Sequence, residues 1–452
     1  MAKLGTACAT RLLALLLLLA LPAAVQAQFT FTTNNGAITI TGYNGTVSTL
    51  VIPGTTNGYP VTSIETNAFA DNFYLTSVTI PASVTNIGYG AFALCTSLTT
   101  ITVNALNPAY SSAAGVLFNL NQTTLIQYPI GNAAASYTIS NSVTSIGDEA
   151  FYDCQNLTSI TIPDSVTNIG DSAFIYCYYL TSVTIPYSVI SIGNYAFEDC
   201  INVTSVTISD SVTSIGEYAF EGCSSLTSVT IPASVISIGD EAFSYDTSLT
   251  AITVDALNPA YTSVAGVLFN FNQTTLIQYP AGNSGTSYTV SNSVTSIGDA
   301  AFAYCSSLTS VTIPASVTSI GEYAFEECPK LTSVYFEGNA PTGDSSVFLF
   351  DNLEVYYLPG TTGWDTTFGG SPTVLWNPQV QTNNGSFGVQ NNQFGFNIIG
   401  SSNLVIVVEA CTNLAKPTWL PLATNTLTGG SSHFSDPQWT NYPSRFYRFS
   451  SP

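Results

Sequence analysis

Seven cysteines recur at one position of a repeating pattern: Cys95, Cys154, Cys177, Cys200, Cys223, Cys305 and Cys328. Thiols in register can make disulfides or hold a metal, and the surrounding residues decide between these. Asn72 and Asp246 fill the same slot in two further repeats. A disulfide framework does not tolerate that exchange, whereas a buried hydrogen-bonding niche does. Seven thiols also cannot all pair with one another. Zinc would need clustered ligand pairs, often with histidine, and the column has neither. The sequence therefore favours a stack of buried, reduced thiols, with disulfides between neighbouring repeats as the alternative.

A second column is acidic. Asp148, Asp171, Glu217, Asp240, Asp299 and Glu322 each follow a repeat glycine, and Asn194 takes that place once. Stacked like charges repel, and a hard cation could bridge them. No repeat carries a Gly-Gly-x-Gly-x-Asp calcium turn, so the favoured reading is that each acid caps its own short helical turn and faces water. Rows of hydroxyls complete the set, at Ser182 and Thr184, Ser205 and Thr207, Ser228 and Thr230, Ser310 and Thr312. On the outer face of a sheet they would suit a glycan, or ordered water as on an ice-binding surface. Thr is also simply a good exposed strand residue. Catalysis has little to work with. His433 is the only histidine, in the turn-like stretch Ser431 to Pro437, and no activated nucleophile, phosphate loop or carboxylate pair accompanies it. No metal and no cofactor are expected.

These columns exist because the chain repeats every 23 residues. The phenylalanine of an I-G-x-x-A-F core falls at Phe69, Phe92, Phe151, Phe174, Phe197, Phe220, Phe243, Phe302 and Phe325, with two intervals of 59 residues among steps of 23. A fixed period of this size specifies a solenoid, in which each unit buries its apolar face against its neighbours. In the unit Leu226 to Phe243, Leu226, Val229 and Ile231 form a short strand that ends at Pro232, which cannot donate to a ladder. Val235 and Ile238 turn the chain inward again. Gly239 and Asp240 open a short helical turn that aims Ala242 and Phe243 at the core, the glycine permitting an unusual backbone angle.

The unit Leu308 to Cys328, Leu-Thr-Ser-Val-Thr-Ile-Pro-Ala-Ser-Val-Thr-Ser-Ile-Gly-Glu-Tyr-Ala-Phe-Glu-Glu-Cys, resembles the BspA-like leucine-rich repeats of bacterial surface proteins. The resemblance runs from about Val61 to Tyr335. It implies a leucine-rich-repeat solenoid with a curved parallel β-sheet and short helical turns, and a loose association with adhesion or recognition at the cell surface. It implies no single ligand.

The expected organisation is a signal peptide at 1–27, an N-terminal β cap at 28–60, the solenoid at 61–337, a capping unit at 338–378 and a small all-β, sandwich-like domain at 379–452. The signal peptide rests on Lys3 and Arg11, the apolar run Leu12 to Leu21, and the small-residue site Val25-Gln26-Ala27. Longer units near 104–140 and 255–291 interrupt the solenoid. They are near copies 151 residues apart, each with two β-like runs that suggest a hairpin.

Charge and composition narrow the partners. The formal net charge is −21, and no Lys or Arg lies between Leu12 and Pro329. Phosphate backbones would be repelled, which excludes nucleic acid, and no apolar stretch is long enough for a membrane span. A secreted or cell-surface recognition and adhesion protein, binding an extracellular protein or polysaccharide without catalysis, is the leading reading. The alternative is a structural or matrix component with a glycan- or ice-facing Ser/Thr surface. Interface energy concentrates in Tyr, Trp and Arg, so the candidate binding residues are Tyr176, Tyr178, Tyr179, Tyr195, Tyr218 and Tyr323, with Trp419 and Trp439 on the C-terminal module.

Overall fold

A computed structural model describes residues 28–451 apart from Asn403, and the export segment assigned to 1–27 lies outside them. The chain divides into two compact units, residues 28–246 with 254–260, and residues 247–253 with 261–451.

In the first unit each 23-residue turn of chain makes three sides around an apolar centre. The first side is a short parallel strand. Ser182–Thr184 pairs with Ser205–Thr207 in register, Val183 opposite Val206. Period-two alternation buries Val183 and Ile185 and leaves Ser182 and Thr184 in water, while Leu180, three residues before Val183, is buried ahead of the strand and Thr181 is exposed. The second side is a two-residue strand, Ser191–Ile192, which pairs with Ser214–Ile215 and extends the ladder in both directions.

The third side, expected as short helical turns, is a ladder as well. Among the described residues there is no α-helix, only the 3-10 turns Thr428–Gly430 and Trp439–Asn441. In one turn the amides of Tyr195, Phe197 and Asp199 donate to the carbonyls of Glu217, Ala219 and Glu221 in the next rung, each at 2.8 Å. The intervening amides of Glu198 and Cys200 close 3.2 Å bonds within their own turn, to Tyr195 and Phe197. That alternation needs left-handed residues at intervals, and Tyr195 (φ 55°) and Asp199 (φ 53°) supply them. A helix would satisfy its amides along its own axis, whereas here half of them are committed to a neighbour.

The repeat glycine has a different role from the one its sequence position suggests. It does not adopt a left-handed angle. A Cβ on Gly193 would lie 2.5 Å from the carbonyl carbon of Gly170 in the preceding rung, and one on Gly216 would lie 2.5 Å from Gly193. The constraint is close approach of backbone to backbone. The acid after it is likewise displaced by one rung. Oδ1 of Asp148 accepts from the amide of Asp171, Asp171 from that of Asn194, and Asn194 from that of Glu217, at 2.8–2.9 Å. Each therefore caps the next rung instead of its own turn.

Phenylalanines fill the centre. Phe174 and Phe197 stack at 5.0 Å and 3°, and Phe197 and Phe220 at 5.3 Å and 3°. Tyr128 stands one period before Phe151 and stacks on it at 5.2 Å. Tyr279 does the same beneath Phe302, and the second unit's column runs on to Phe325 and Phe348. The long units carry three antiparallel strands, one more than expected. Tyr110–Ala113 pairs with Val116–Asn119, which pairs with Thr124–Gln127, and the last of these starts a new parallel ladder at Ser145–Ile146. Tyr261–Val264, Val267–Asn270 and Thr275–Gln278 repeat the arrangement.

In the second unit the parallel sheet continues past Phe336 through Glu354–Tyr357 to Ser371–Leu375. Trp364 packs against Phe336, Tyr357 and Phe368 at the end of the core. Two antiparallel sheets follow. One joins Gln379–Gln381, Gln393–Ile399, Gly388–Gln390 and Ser431–Asp436, and the other joins Leu420–Thr426, Val405–Cys411 and Phe446–Ser450. Ile398, Leu404, Ile406, Val408 and Phe434 fill the space between them together with Tyr335 and Tyr356 of the repeat sheet.

Two substitutions test this geometry. Val183→Asp should cost several kcal/mol by burying an unpaired charge, and Gly193→Ala should destabilise through the contact with Gly170. Urea melts of both against the parent would measure it, and an unchanged midpoint for either one means the rung packing is wrong.

Candidate binding surfaces

The cysteine column is a set of hydrogen-bond donors. The Sγ of Cys95, Cys177, Cys200, Cys223 and Cys328 donates to the carbonyl of the phenylalanine 26 residues earlier, Phe69, Phe151, Phe174, Phe197 and Phe302 respectively, at 3.0–3.3 Å. All seven are buried and unbridged. Burial pushes the Cys95 thiol up to about 11 and the Cys177 thiol up to about 12, which removes thiolate reactivity at neutral pH. Asn72 fills the slot by donating to the carbonyl of Gly45 at 2.9 Å. Asp246 fills it less well. It is fully buried, and neither carboxyl oxygen meets a donor. Burial drives its pKa well above the carboxylate range.

The hydroxyl rows divide between the two units. Ser182, Thr184, Ser205, Thr207, Ser228 and Thr230 are exposed. Ser310 and Thr312, expected on the same open face, are each only 5% exposed. The reason is the C-terminal module, which lies over them: Thr312 Oγ1 and Ser451 Oγ share a 2.8 Å hydrogen bond. One and two rungs further along, the Thr312 position becomes Tyr335 and then Tyr356, stacked at 4.9 Å inside the module's core. A cleft of about 250 Å³ remains at this junction, lined by Tyr335, Tyr356, Trp376 and Arg448 among others.

The candidate tyrosines fall into separate groups. Tyr176 packs on Tyr178 at 5.9 Å and edge-on to Tyr152 at 5.6 Å, and Tyr179 beside them is 55% exposed. Tyr195 and Tyr218 stack at 4.9 Å and 8°, with Tyr218 Oη donating to Glu241 at 3.2 Å. Tyr323, in the second unit, takes the amide position that bonds Ser346 Oγ. Tyr176, Tyr195, Tyr218 and Tyr323 all occupy left-handed positions, at φ 55–61°, so their place is set by the alternating turn. Burial first, and then carboxylates including Glu198 and Asp199, raise the pKa of Tyr176 and Tyr178. These phenols are neutral hydroxyls in an acidic surround. Tyr152 was not legible as a member of the group, because it stands one place earlier in its repeat than the residue Tyr176 occupies.

On the module, Trp419 lies under Arg448 at 4.6 Å, and Arg448 Nε donates to Glu409 at 2.6 Å. Trp439 is elsewhere, its Nε1 donating to the carbonyl of Asn392 at 3.3 Å. The structure does not bring the two tryptophans together. His433 stands in the strand Ser431–Asp436, not in a turn, because it pairs across the sheet with Asn397; Nδ1 is 2.8 Å from Asn397 Oδ1.

A family model described as BspA type leucine rich repeat region matches residues 43–128, 131–250, 167–283 and 279–366, in six copies. Similar solved structures include a leucine rich cell surface protein from Faecalibacterium prausnitzii A2-165, at 32% identity over 74% of this chain and 88% of that one, TM-score 0.48. The pneumococcal vaccine antigen PcpA is similar at 16% identity over 77% and 97%, TM-score 0.41. A leucine-rich repeat protein from Bacteroides ovatus is similar at 23% identity over 77% and 98%, TM-score 0.36. No curated protein matches the chain.

Alkylation with iodoacetamide should leave the column untouched in the native protein and label Cys154, Cys177, Cys200 and Cys223 after denaturation without reductant. Recovery of these four as linked pairs by mass spectrometry would contradict the thiol ladder. Asp246 makes a second prediction. Its folded value lies above its unfolded one, so its ionisation takes stability away as pH rises from about 4 toward the folded value and takes none below. Asp246→Cys should therefore stabilise at both pH values, by about 1–3 kcal/mol at pH 4 for removing an unpartnered polar group, and by more at pH 7, where the raised pKa adds its share. Denaturant melts at the two pH values measure the difference, and an equal gain at both means Asp246 is not held neutral.

Proposed function

The chain belongs to the BspA-type leucine-rich repeat family, and on that footing we propose that it is an exported recognition and adhesion protein that binds an extracellular protein or polysaccharide and catalyses nothing. The observation that carries this reading is the distribution of anchors. The exposed hydroxyl face of the first unit offers only short, uncharged side chains at Ser182 through Thr230. The opposite turns offer grouped aromatic rings among carboxylates, at Tyr152, Tyr176, Tyr178 and Tyr179, and at Tyr195 with Tyr218. A tight protein ligand draws on rings of this kind. The hydroxyl rows support weaker contact summed over many rungs, as a polysaccharide would make.

A matrix role is the second reading. It is favoured by one observation, that the repeat sheet already accepts β-structure through a hydroxyl pair where Ser451 meets Thr312. A second molecule applied to the uncovered rows would use the same hydroxyl contacts, repeated over several rungs, in place of the Tyr335 and Tyr356 packing that seats the module.

Both readings are tested on the full chain against an immobilised panel of extracellular matrix proteins and bacterial and host polysaccharides. Tyr178→Ser with Tyr179→Ser should weaken protein binding by about tenfold or more, and Thr184→Lys with Thr207→Lys and Thr230→Lys should affect only polysaccharide. Protein binding that survives the tyrosine changes but is lost with the threonine changes would place the site on the sheet. No ligand in the panel, together with concentration-dependent assembly by light scattering, would favour the matrix reading.

A further inference from the structure

Isoleucine stands at two exposed positions where the repeat otherwise has threonine. The residue after the core valine is Thr85, Thr144, Thr167, Thr213, Thr295 and Thr318 in six rungs, and each of these hydroxyls donates to a carbonyl of the rung before at 3.1–3.5 Å. In two rungs of the first unit it is Ile190, 54% exposed, and Ile236, 61% exposed. Each gives up that side-chain hydrogen bond and puts a β-branched apolar group into water. The two are in one column, because the amide of Ile236 donates to Thr213 and that of Thr213 donates to Ile190, at 2.8–2.9 Å.

The apolar edge continues on either side. Tyr187, 75% exposed, is on the turn that leads into Ile190. Leu257, 84% exposed, is held beyond Ile236 by its neighbour Asn258, whose buried amide donates to the carbonyls of Pro232 and Val235 at 2.7 and 2.9 Å. The Leu257 amide is itself fixed to Asp255 Oδ1 at 2.8 Å. Leu257 is therefore an exposed leucine on an anchored loop. Exposed apolar groups gathered along one edge of a folded surface, here with Thr213 between the two isoleucines, mark an interaction site.

The charge around the strip selects the occupant. Asp164, Asp210 and Asp255 are exposed on the same turns, and the chain has no Lys or Arg from Leu12 to Pro329 to balance them. A second copy of this edge would bring like charges together. We propose that the Tyr187–Ile190–Ile236–Leu257 edge docks a partner protein segment whose apolar side chains are rimmed by lysine or arginine. The assignment rests on the recognition reading above and adds to it a second surface and the chemistry of its partner.

The probe is a fluorescein-labelled amphipathic Leu/Lys peptide, with Leu/Glu and Gly/Lys peptides of equal length as controls, followed by anisotropy. The full chain should bind Leu/Lys, more weakly as salt is added, and should bind neither control comparably. Ile190→Thr with Ile236→Thr and Leu257→Ser should weaken it by about tenfold or more. The two threonines are what other rungs carry, so the fold should persist, and circular dichroism checks that it does. Equal binding by the triple variant, binding of Leu/Glu as tight as Leu/Lys, or no binding of Leu/Lys by the parent overturns the proposal. So does self-association of the parent that the triple variant loses. If the triple variant keeps a panel ligand that the Tyr178 and Tyr179 changes abolish, and fails to discriminate the peptide, the edge falls and the recognition reading stands. If no panel ligand binds but the triple variant loses the peptide, the recognition reading falls and the edge stands.

Discussion

One distance governs the repeat architecture. Neighbouring rungs are tied by backbone hydrogen bonds on all three sides, at the roughly 4.8 Å spacing that strand pairing imposes. Every column is therefore a residue stacked on its own kind at that spacing, and it survives only if the residue tolerates its own company. Phenylalanine does, with rings parallel and their centroids 5.0 Å apart, within the range of favourable aromatic pairs. Glycine does on the turn side because nothing larger fits. Carboxylate does because one oxygen of Asp148 and of Asp171 caps a neighbour's amide on a side chain that faces water, with Asn194 relieving the run. Cysteine does because a thiol can reach a carbonyl without the solvation demand of a stronger donor.

This explains what could be read in advance. Val183 and Ile185 were legible because burial on a strand follows a period of two, and Leu180 because an apolar residue recurs at its place every 23 residues, at Leu157, Val203 and Leu226. The turn side was not. Its left-handed positions are filled by Tyr195, Asp199, Ser172, Glu149 and Ala300 alike, so the alternation leaves no compositional mark, and the pattern looks like a helix start. Tyr128 and Tyr279 hid from the phenylalanine column for two reasons. Each is a tyrosine, and each falls inside a 59-residue step, although counting back 23 from Phe151 and Phe302 finds them. Ser310 and Thr312 could not be separated from Ser182 and Thr184 by any local rule, because what buries them arrives from Ser451 at the far end of the chain.

The module changes the meaning of the sheet it covers. Along the second unit's strand the outward position passes from Thr312 to Tyr335 to Tyr356, and the aromatic pair supplies the apolar area that hydroxyls lack. Docking by β-structure is thus encoded as a change of one column from small and polar to large and aromatic. The uncovered rows of the first unit lack that change and remain wet. His433, in the strand opposite Asn397, belongs to this scaffold.

The two antiparallel insertions solve a problem that the repeats create. When every rung resembles the next, a strand that pairs one full period out of place buries nearly the same side chains, and a chain of this kind can slip during folding at little energetic penalty. Val116–Asn119 and Val267–Asn270 run against the grain of the ladder, and their antiparallel partners are unique to their own hairpins. A slipped register cannot be extended through either one. They divide a monotonous sequence into stretches short enough to be counted correctly, as ruled lines do on a long page.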